Sequence, residues 1–197
     1  MVMKRIGILD LQGAVSEHIS IIHQLGAIGL SIKHPDQLGL IDGLIIPGGE
    51  STVISRLIQK KNFYKPIKQF VAGGNAVFGT CAGLILCGTT LIDSHQSNQL
   101  ITPLALINIS IERNGFGRQI DSFETHLTIP CIGEKIPTVF IRAPYITAVG
   151  YDVDILAQID RRIVMARNRN VLVSAFHPEL TEDNRVINYF LSMVNKK

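Results

Sequence analysis

Short apolar runs alternate with segments of helical spacing through the first half of the chain. No other sequence feature restricts the fold as much. "RIGILDL" (5–11) is apolar along most of its length, the pattern of a strand buried on both faces. "VSEHISIIHQLG" (15–26) repeats apolar residues at helical spacing and stops at a glycine. "LSIKH" and "DGLIIPGG" (42–49) then read as second and third strands, and "NAVFGT" as a fourth. Between the third and fourth strands, "ESTVISRLIQKKNFYKPIKQFVAGG" (50–74) reads as one or two helices, with Pro66 early in the second. "AGLILCGTT" supplies the helix after the fourth strand. Strands that alternate with helices predict a parallel sheet covered on both faces.

The second half follows a different rhythm. "LALINISIERN", "DSFETHLTIP", "TVFIRAPYITAVG", "DILAQID", "RIVMARN" and "VLVSAFHP" are β-type runs separated by turn residues. "TEDNRVINYFLSMVNKK" reads as a closing helix with Thr181 as its N-cap. With 197 residues, no linker, no repeat and no low-complexity segment, one domain over 1–197 is expected. The fold class expected is α/β, with a mixed, partly antiparallel sheet.

Charge and cysteine content narrow the function classes. A net charge of +3 without a basic block argues against nucleic acid as a partner. The N-terminal segment lacks a signal-peptide pattern and no apolar stretch has bilayer length, so a soluble cytoplasmic protein without membrane contact is expected. Three cysteines without a CxxC pair support neither a disulfide framework nor a metal site, and nothing in the sequence calls for a cofactor.

One of these cysteines stands in a special setting. In Gly79-Thr80-Cys81-Ala82-Gly83 a strand turns into a helix with glycines two residues before and two after the cysteine. This is the spacing of a nucleophile elbow, with cysteine in the serine position. The glycines relieve crowding in a strained turn, the sulfur lies by the positive end of a helix, and the Ala82 N–H can donate to an oxyanion. The same pentapeptide also suits tight packing of a buried thiol, and by itself it leaves the two readings level. Cys87, six residues on, is expected to be buried and inert.

A thiol nucleophile needs a base and a group to orient that base. "SAFHPEL" (174–180) places His177 and Glu179 at the end of an apolar strand, with Pro178 fixing the backbone between them. If the segment is extended, residues i and i+2 share a side, so His177 can face the thiol while Glu179 holds its other ring nitrogen. His18, His23, His34, His95 and His126 carry no comparable signal. "IIPGGEST" (45–52) brings Gly48 and Gly49, whose N–H groups can turn toward a neighbouring oxyanion or carboxylate. Glu50, Ser51 and Thr52 also have the types needed to cap a following helix. Arg113 and Arg142 are candidate carboxylate clamps, through the bidentate guanidinium fork.

Together the elbow, the H-P-E and the P-G-G-E-S resemble the class I, triad-type glutamine amidotransferases. Within these the chain resembles the glutaminase subunits of pyridoxal 5′-phosphate synthase. The resemblance rests on "LQGAVxEH" (11–18), "PGGEST" (47–52), "GTCAGLI" (79–85), "ERNxFGRQxDSFE" (112–124), "FIRAP" (140–144) and "FHPELTxDxR" (176–185), in order along the whole chain. It implies a flavodoxin-like three-layer fold and hydrolysis of L-glutamine to glutamate and ammonia. The ammonia would pass through a tunnel to a partner synthase (lyase) subunit in a hetero-oligomer. It further implies Cys81 as nucleophile, His177 as general base and acid, and Glu179 as orienting carboxylate. Gly49, Glu50, Ser51, Arg113, Ile141 and Arg142 would hold glutamine, and the N–H groups of Gly49 and Ala82 would meet the oxyanion. Asp10 stands where the family has a small residue, and Ala105 where a glycine is common. The longer, more polar 91–105 link is expected to be a surface insertion. A scaffold without glutaminase activity and a cysteine hydrolase of another substrate are the competing classes.

Overall fold

In the computed structural model, residues 3–92, 100–113 and 122–195 are described. The first half is the alternation expected: β1 (Arg5–Leu9), α1 (Val15–Gln24), β2 (Ile28–Ile32), a 3-10 turn (Pro35–Leu40), β3 (Gly43–Ile46), α2 (Ser51–Lys60), α3 (Tyr64–Ala72), β4 (Ala76–Thr80) and α4 (Ala82–Cys87). Residues 50–74 form two helices, and Pro66 occupies the first turn of the second, where its missing N–H costs nothing. The second half contains β5 (Thr90–Ile92), β6 (Ile109–Glu112), β7 (Ser122–Ile129), β8 (Gly133–Ile141), β9 (Tyr145–Val149), β10 (Asp154–Ile159), β11 (Arg162–Arg167) and β12 (Val171–Ser174). A 3-10 turn (Pro178–Leu180) and α5 (Arg185–Met193) follow.

Ten strands form one mixed sheet. Five of them run parallel in the order β2-β1-β3-β4-β12, the flavodoxin-like order. Antiparallel pairing begins at β11, which joins β12 to β9; β9 pairs in turn with β6, and β10 also pairs with β11. β5 closes the far edge, parallel to β6. β3, β4 and β12 are buried along their whole length, as strands covered on both faces must be. α5 packs on one face through Phe190, whose ring lies 5.5 Å from that of Phe78 on β4.

The structure corrects several local expectations. The run 138–150 is two strands in different sheets. β8 pairs only with β7 in a separate two-stranded sheet, whereas β9 joins the main sheet. The break falls at Arg142-Ala143-Pro144, where Arg142 has φ +43° and Pro144 cannot donate to a ladder. The strand expected at 104–114 is limited to Ile109–Glu112.

Thr181 does not cap α5, which starts four residues later. Instead its hydroxyl contacts the Pro178 carbonyl, and Asp183 accepts the Arg185 N–H at 3.0 Å. The 91–105 link is not simply a surface insertion. Residues 93–99 lie outside the described residues, but Ile101 and Leu104 are buried, and the Leu104 N–H donates to the Leu86 carbonyl of α4 at 2.7 Å. Ala105 takes φ +52°, a left-handed conformation in which glycine would be the least strained residue. Asp10 is held by the Ser31 hydroxyl at 2.6 Å and by Lys33 at 3.3 Å.

Candidate active site

Four adjacent strands, β1, β3, β4 and β12, carry most of the candidate residues at their carboxyl ends, and Arg113, Ile141 and Arg142 come from the ends of β6 and β8. Doubly wound sheets bind ligands there because loops on that edge converge over the strand termini. Gln12 follows β1, the Pro-Gly-Gly turn follows β3, Cys81 follows β4, and His177 follows β12. The ends are level, since Ile46 registers with Gly79 and Thr80 with Ser174. The Cys81 N–H donates to the Ser174 carbonyl at 2.8 Å, tying the elbow to the strand that carries His177.

Cys81 has φ +49° and ψ −102°, a conformation that non-glycine residues rarely adopt and that the surrounding structure must enforce. Its neighbours leave no room to relax. A Cβ on Gly79 would stand 2.6 Å from the Gly83 backbone, and one on Gly83 only 2.0 Å from the Ile46 carbonyl oxygen. Cys81 is buried with its sulfur 3.9 Å from the Ile141 carbonyl oxygen. Ala82 is the first residue of α4, so its N–H has no partner within the helix.

His177 Nδ1 lies 2.7 Å from Glu179 Oε1, with the glutamate fully buried. The segment between them is a 3-10 turn rather than the extended chain expected, and this turn, not strand alternation, folds the carboxylate back onto the ring. The His177 N–H donates to the Val139 carbonyl at 2.9 Å, which joins this turn to β8. Burial works to lower the basicity of the imidazole. Its hydrogen bonds to Cys81 and Glu179 outweigh that and push its pKa up to about 10, so the ring is cationic at neutral pH. Burial likewise works to raise the Glu179 carboxyl, but the bond to His177 keeps it below the usual carboxylate range. Burial alone pushes the Cys87 thiol up to about 12, and that side chain is fully enclosed, as expected of an inert thiol.

A cavity of about 370 Å³ opens over these groups, lined by Gln12, Gly49, Glu50, Ser51, Cys81, Ala82, Ile85, Arg113, Ile141, Arg142 and His177. Nine of these eleven residues are positions expected from the sequence; Gln12 and Ile85 are the other two. Glu179 stands behind His177, outside the cavity. A larger open groove of about 740 Å³ runs between β7–β8 and residues 180–184, away from Cys81, and holds no comparable nucleophile.

Gly48 departs from expectation. Its N–H donates to the Thr80 hydroxyl at 3.0 Å and is not available to a ligand. The position requires glycine for space, because a Cβ there would stand 2.5 Å from His177 Cε1. Glu50 performs the capping role its residue type allowed. Its carboxylate accepts the N–H groups of Thr52 at 3.1 Å and Val53 at 2.8 Å, and Arg113 Nη2 lies 4.0 Å away. Glu50→Ala is expected to cost about 1 kcal/mol in urea unfolding through loss of this cap, and Glu50→Gln, which keeps an acceptor, to recover most of it. Equal stability of Glu50→Ala and wild type would contradict this assignment. The remainder of the "ERNGFGRQ" segment, residues 114–119, lies outside the described residues.

Sequence reasoning gave no role to Gln12, Ile85 or Thr80. Gln12 Oε1 accepts the Glu50 N–H at 2.8 Å and lies beside Gly49, so it braces the turn after β3 from the neighbouring strand. Its only sequence signal was its place in the "LQG" motif.

A cysteine elbow and a His-Glu pair therefore stand together at the carboxyl edge of a flavodoxin-like sheet, and the fold around them is that of the glutamine amidotransferases. A solved glutamine amidotransferase superposes with a TM-score of 0.89 at 37% identity, over 95% of this chain and 97% of the other. PurLQS from Thermotoga maritima shares the fold, with a TM-score of 0.69 at 16% identity, over 98% of this chain and 99% of that one. The family profile of the SNO glutamine amidotransferases matches residues 8–196, and the chain belongs to that family. It is similar to the pyridoxal 5′-phosphate synthase subunit PdxT of Geobacillus sp. (strain WCH70), 48% identical over 98% of both chains. The protein of the same name from Listeria monocytogenes is 46% identical over 96% of this chain and 98% of its own.

Proposed function

We propose that the whole chain, 1–197, acts as one glutaminase domain that hydrolyses L-glutamine to glutamate and ammonia for a pyridoxal 5′-phosphate synthase, in the cytoplasm. The observation that supports this most is the line of Cys81, His177 and Glu179 at the ends of two paired strands, with a cavity above the sulfur. Glutamine enters with its side-chain amide over Cys81. Arg113, Arg142, Glu50, Ser51 and the Ile141 backbone hold its charged end.

The Cys81 sulfur, as thiolate, forms a bond to the amide carbon, and the carbonyl electron pair moves onto oxygen. That oxyanion is met by the N–H groups of Ala82 and Gly49. Imidazolium His177 transfers its proton to the amide nitrogen, the C–N bond breaks, and ammonia leaves; without that proton the leaving group would be amide anion. A water molecule then gives a proton to His177 and attacks the thioester, which releases glutamate and restores thiolate and imidazolium. Glu179 keeps the ring aimed throughout.

Ammonia set free in water at neutral pH becomes ammonium and is no longer a nucleophile. A docked synthase subunit that receives it through a closed path is therefore part of the proposal. The deciding measurement is ammonia release from glutamine by the chain alone and with its cognate synthase subunit. Weak release alone and clear stimulation in the complex are expected, with a thiol-reactive glutamine analogue labelling Cys81 and not Cys87. Full hydrolysis of unrelated amides or esters without the partner would overturn the proposal. So would absence of ammonia in the complex, which is the result a pure scaffold would give.

A further inference from the structure

α1 carries a histidine on its buried stripe. His18 is 0% exposed beside Ile21 and Ile22, and neither ring nitrogen has a hydrogen-bond partner among the described residues. Glu179 Oε2 is buried and lacks a hydrogen bond in the same way, and it stands 3.5 Å from His18 Nε2. The other oxygen, Oε1, holds His177. A leucine would fill this place in α1 without burying two polar atoms, so the imidazole carries a cost that packing does not explain.

We propose that His18 is a positioning residue for the glutaminase reaction, whose Nε2–H closes onto Oε2 of Glu179 when glutamine binds and fixes the plane of the carboxylate that orients His177. This deepens the triad reading and rests on it. A glutamate held by one oxygen can swing about its terminal torsion, which is broad. A second donor from another element removes that freedom and leaves the ring one orientation. Hydrogen bonds of this kind are often long before substrate arrives and shorten in the complex.

The chemistry of the pocket suits a neutral donor. Burial holds the His18 imidazole below its ordinary pKa, against the attraction of Glu179 and of Glu17 and with the repulsion of His177. A neutral imidazole carries one N–H, and the tautomer protonated on Nε2 serves Glu179. A cationic ring here would instead compete with His177 for the same carboxylate.

The test uses the chain in complex with its synthase subunit and compares His18→Gln, His18→Asn and His18→Phe. Gln can carry an N–H close to the Nε2 position, whereas Asn is too short and Phe has no donor. Asn and Phe are expected to lower kcat about 10- to 100-fold through loss of aim, with KM for glutamine nearly unchanged. The upper limb of the kcat–pH profile, where His177 loses its proton, is expected to move to lower pH. Gln should restore most of kcat whatever its melting temperature. Wild-type kcat in the Asn and Phe variants would overturn the proposal, as would Gln falling as far as Asn. If Phe does not fold, the comparison of Gln with Asn decides. Failure of the underlying triad would show separately, as ammonia release that survives Cys81→Ser.

Discussion

On the proposed mechanism, Cys81→Ser is expected to abolish ammonia release from glutamine in the synthase complex, with a loss of at least about 10⁴-fold. A hydroxyl is a far weaker acid than a thiol, so serine supplies no comparable anionic nucleophile at neutral pH. His177→Asn should bring a loss of similar size, since no group then remains to protonate the leaving nitrogen. Both side chains are buried, so binding to the synthase is expected to persist. Ammonia release measured by a coupled assay and complex formation by sedimentation check both halves. Activity retained in either variant would mean that another group is the nucleophile or the base.

Gly83→Ala should be among the most damaging single methyl additions at the described residues. Its Cβ would stand 2.0 Å from the Ile46 carbonyl oxygen, a backbone atom of a fully buried strand that cannot rotate away. Relief requires α4 and β3 to separate at the elbow. The expected cost is about 3 kcal/mol or more, which lowers Tm by roughly 6–12 °C in a chain of this size. Gly39→Ala provides the comparison, because nothing lies within 4 Å of the added carbon. Calorimetry of the two variants is decisive. Equal melting temperatures would show that the elbow is looser than its geometry indicates.

The sequence made the parallel half of the fold legible because both signals there are local. Fully buried strands read as unbroken apolar runs, and helices read by their spacing. The antiparallel half was less so. Alternation in 122–141 revealed strands but could not reveal that they leave the main sheet, since a period of two says nothing about which neighbour a strand finds. The break at Arg142 fell inside one β-type run, where Pro144 was its sequence signal, and the positive φ is visible only in three dimensions.

Within the site, Cys81, His177 and Glu179 stood out because turn chemistry and spacing mark them within a few residues. Gln12 and His18 did not, because their partners lie far away in sequence, at Glu50 and Glu179. Gly48 was expected to offer an N–H and proved to be needed for its lack of a side chain, a distinction that depends on where His177 comes to rest.

The position of β12 has a consequence for how the protein is made. It is the last strand among the described residues, yet it lies in the interior of the sheet, between β4 and β11. A growing polypeptide can assemble β1 to β4 early, from contacts close in sequence, but the slot beside β4 stays empty until Val171–Ser174 emerge. His177 and Glu179 arrive only with that insertion. In the proposed mechanism the nascent chain therefore carries Cys81 without its base until Val171–Ser174 have inserted beside β4.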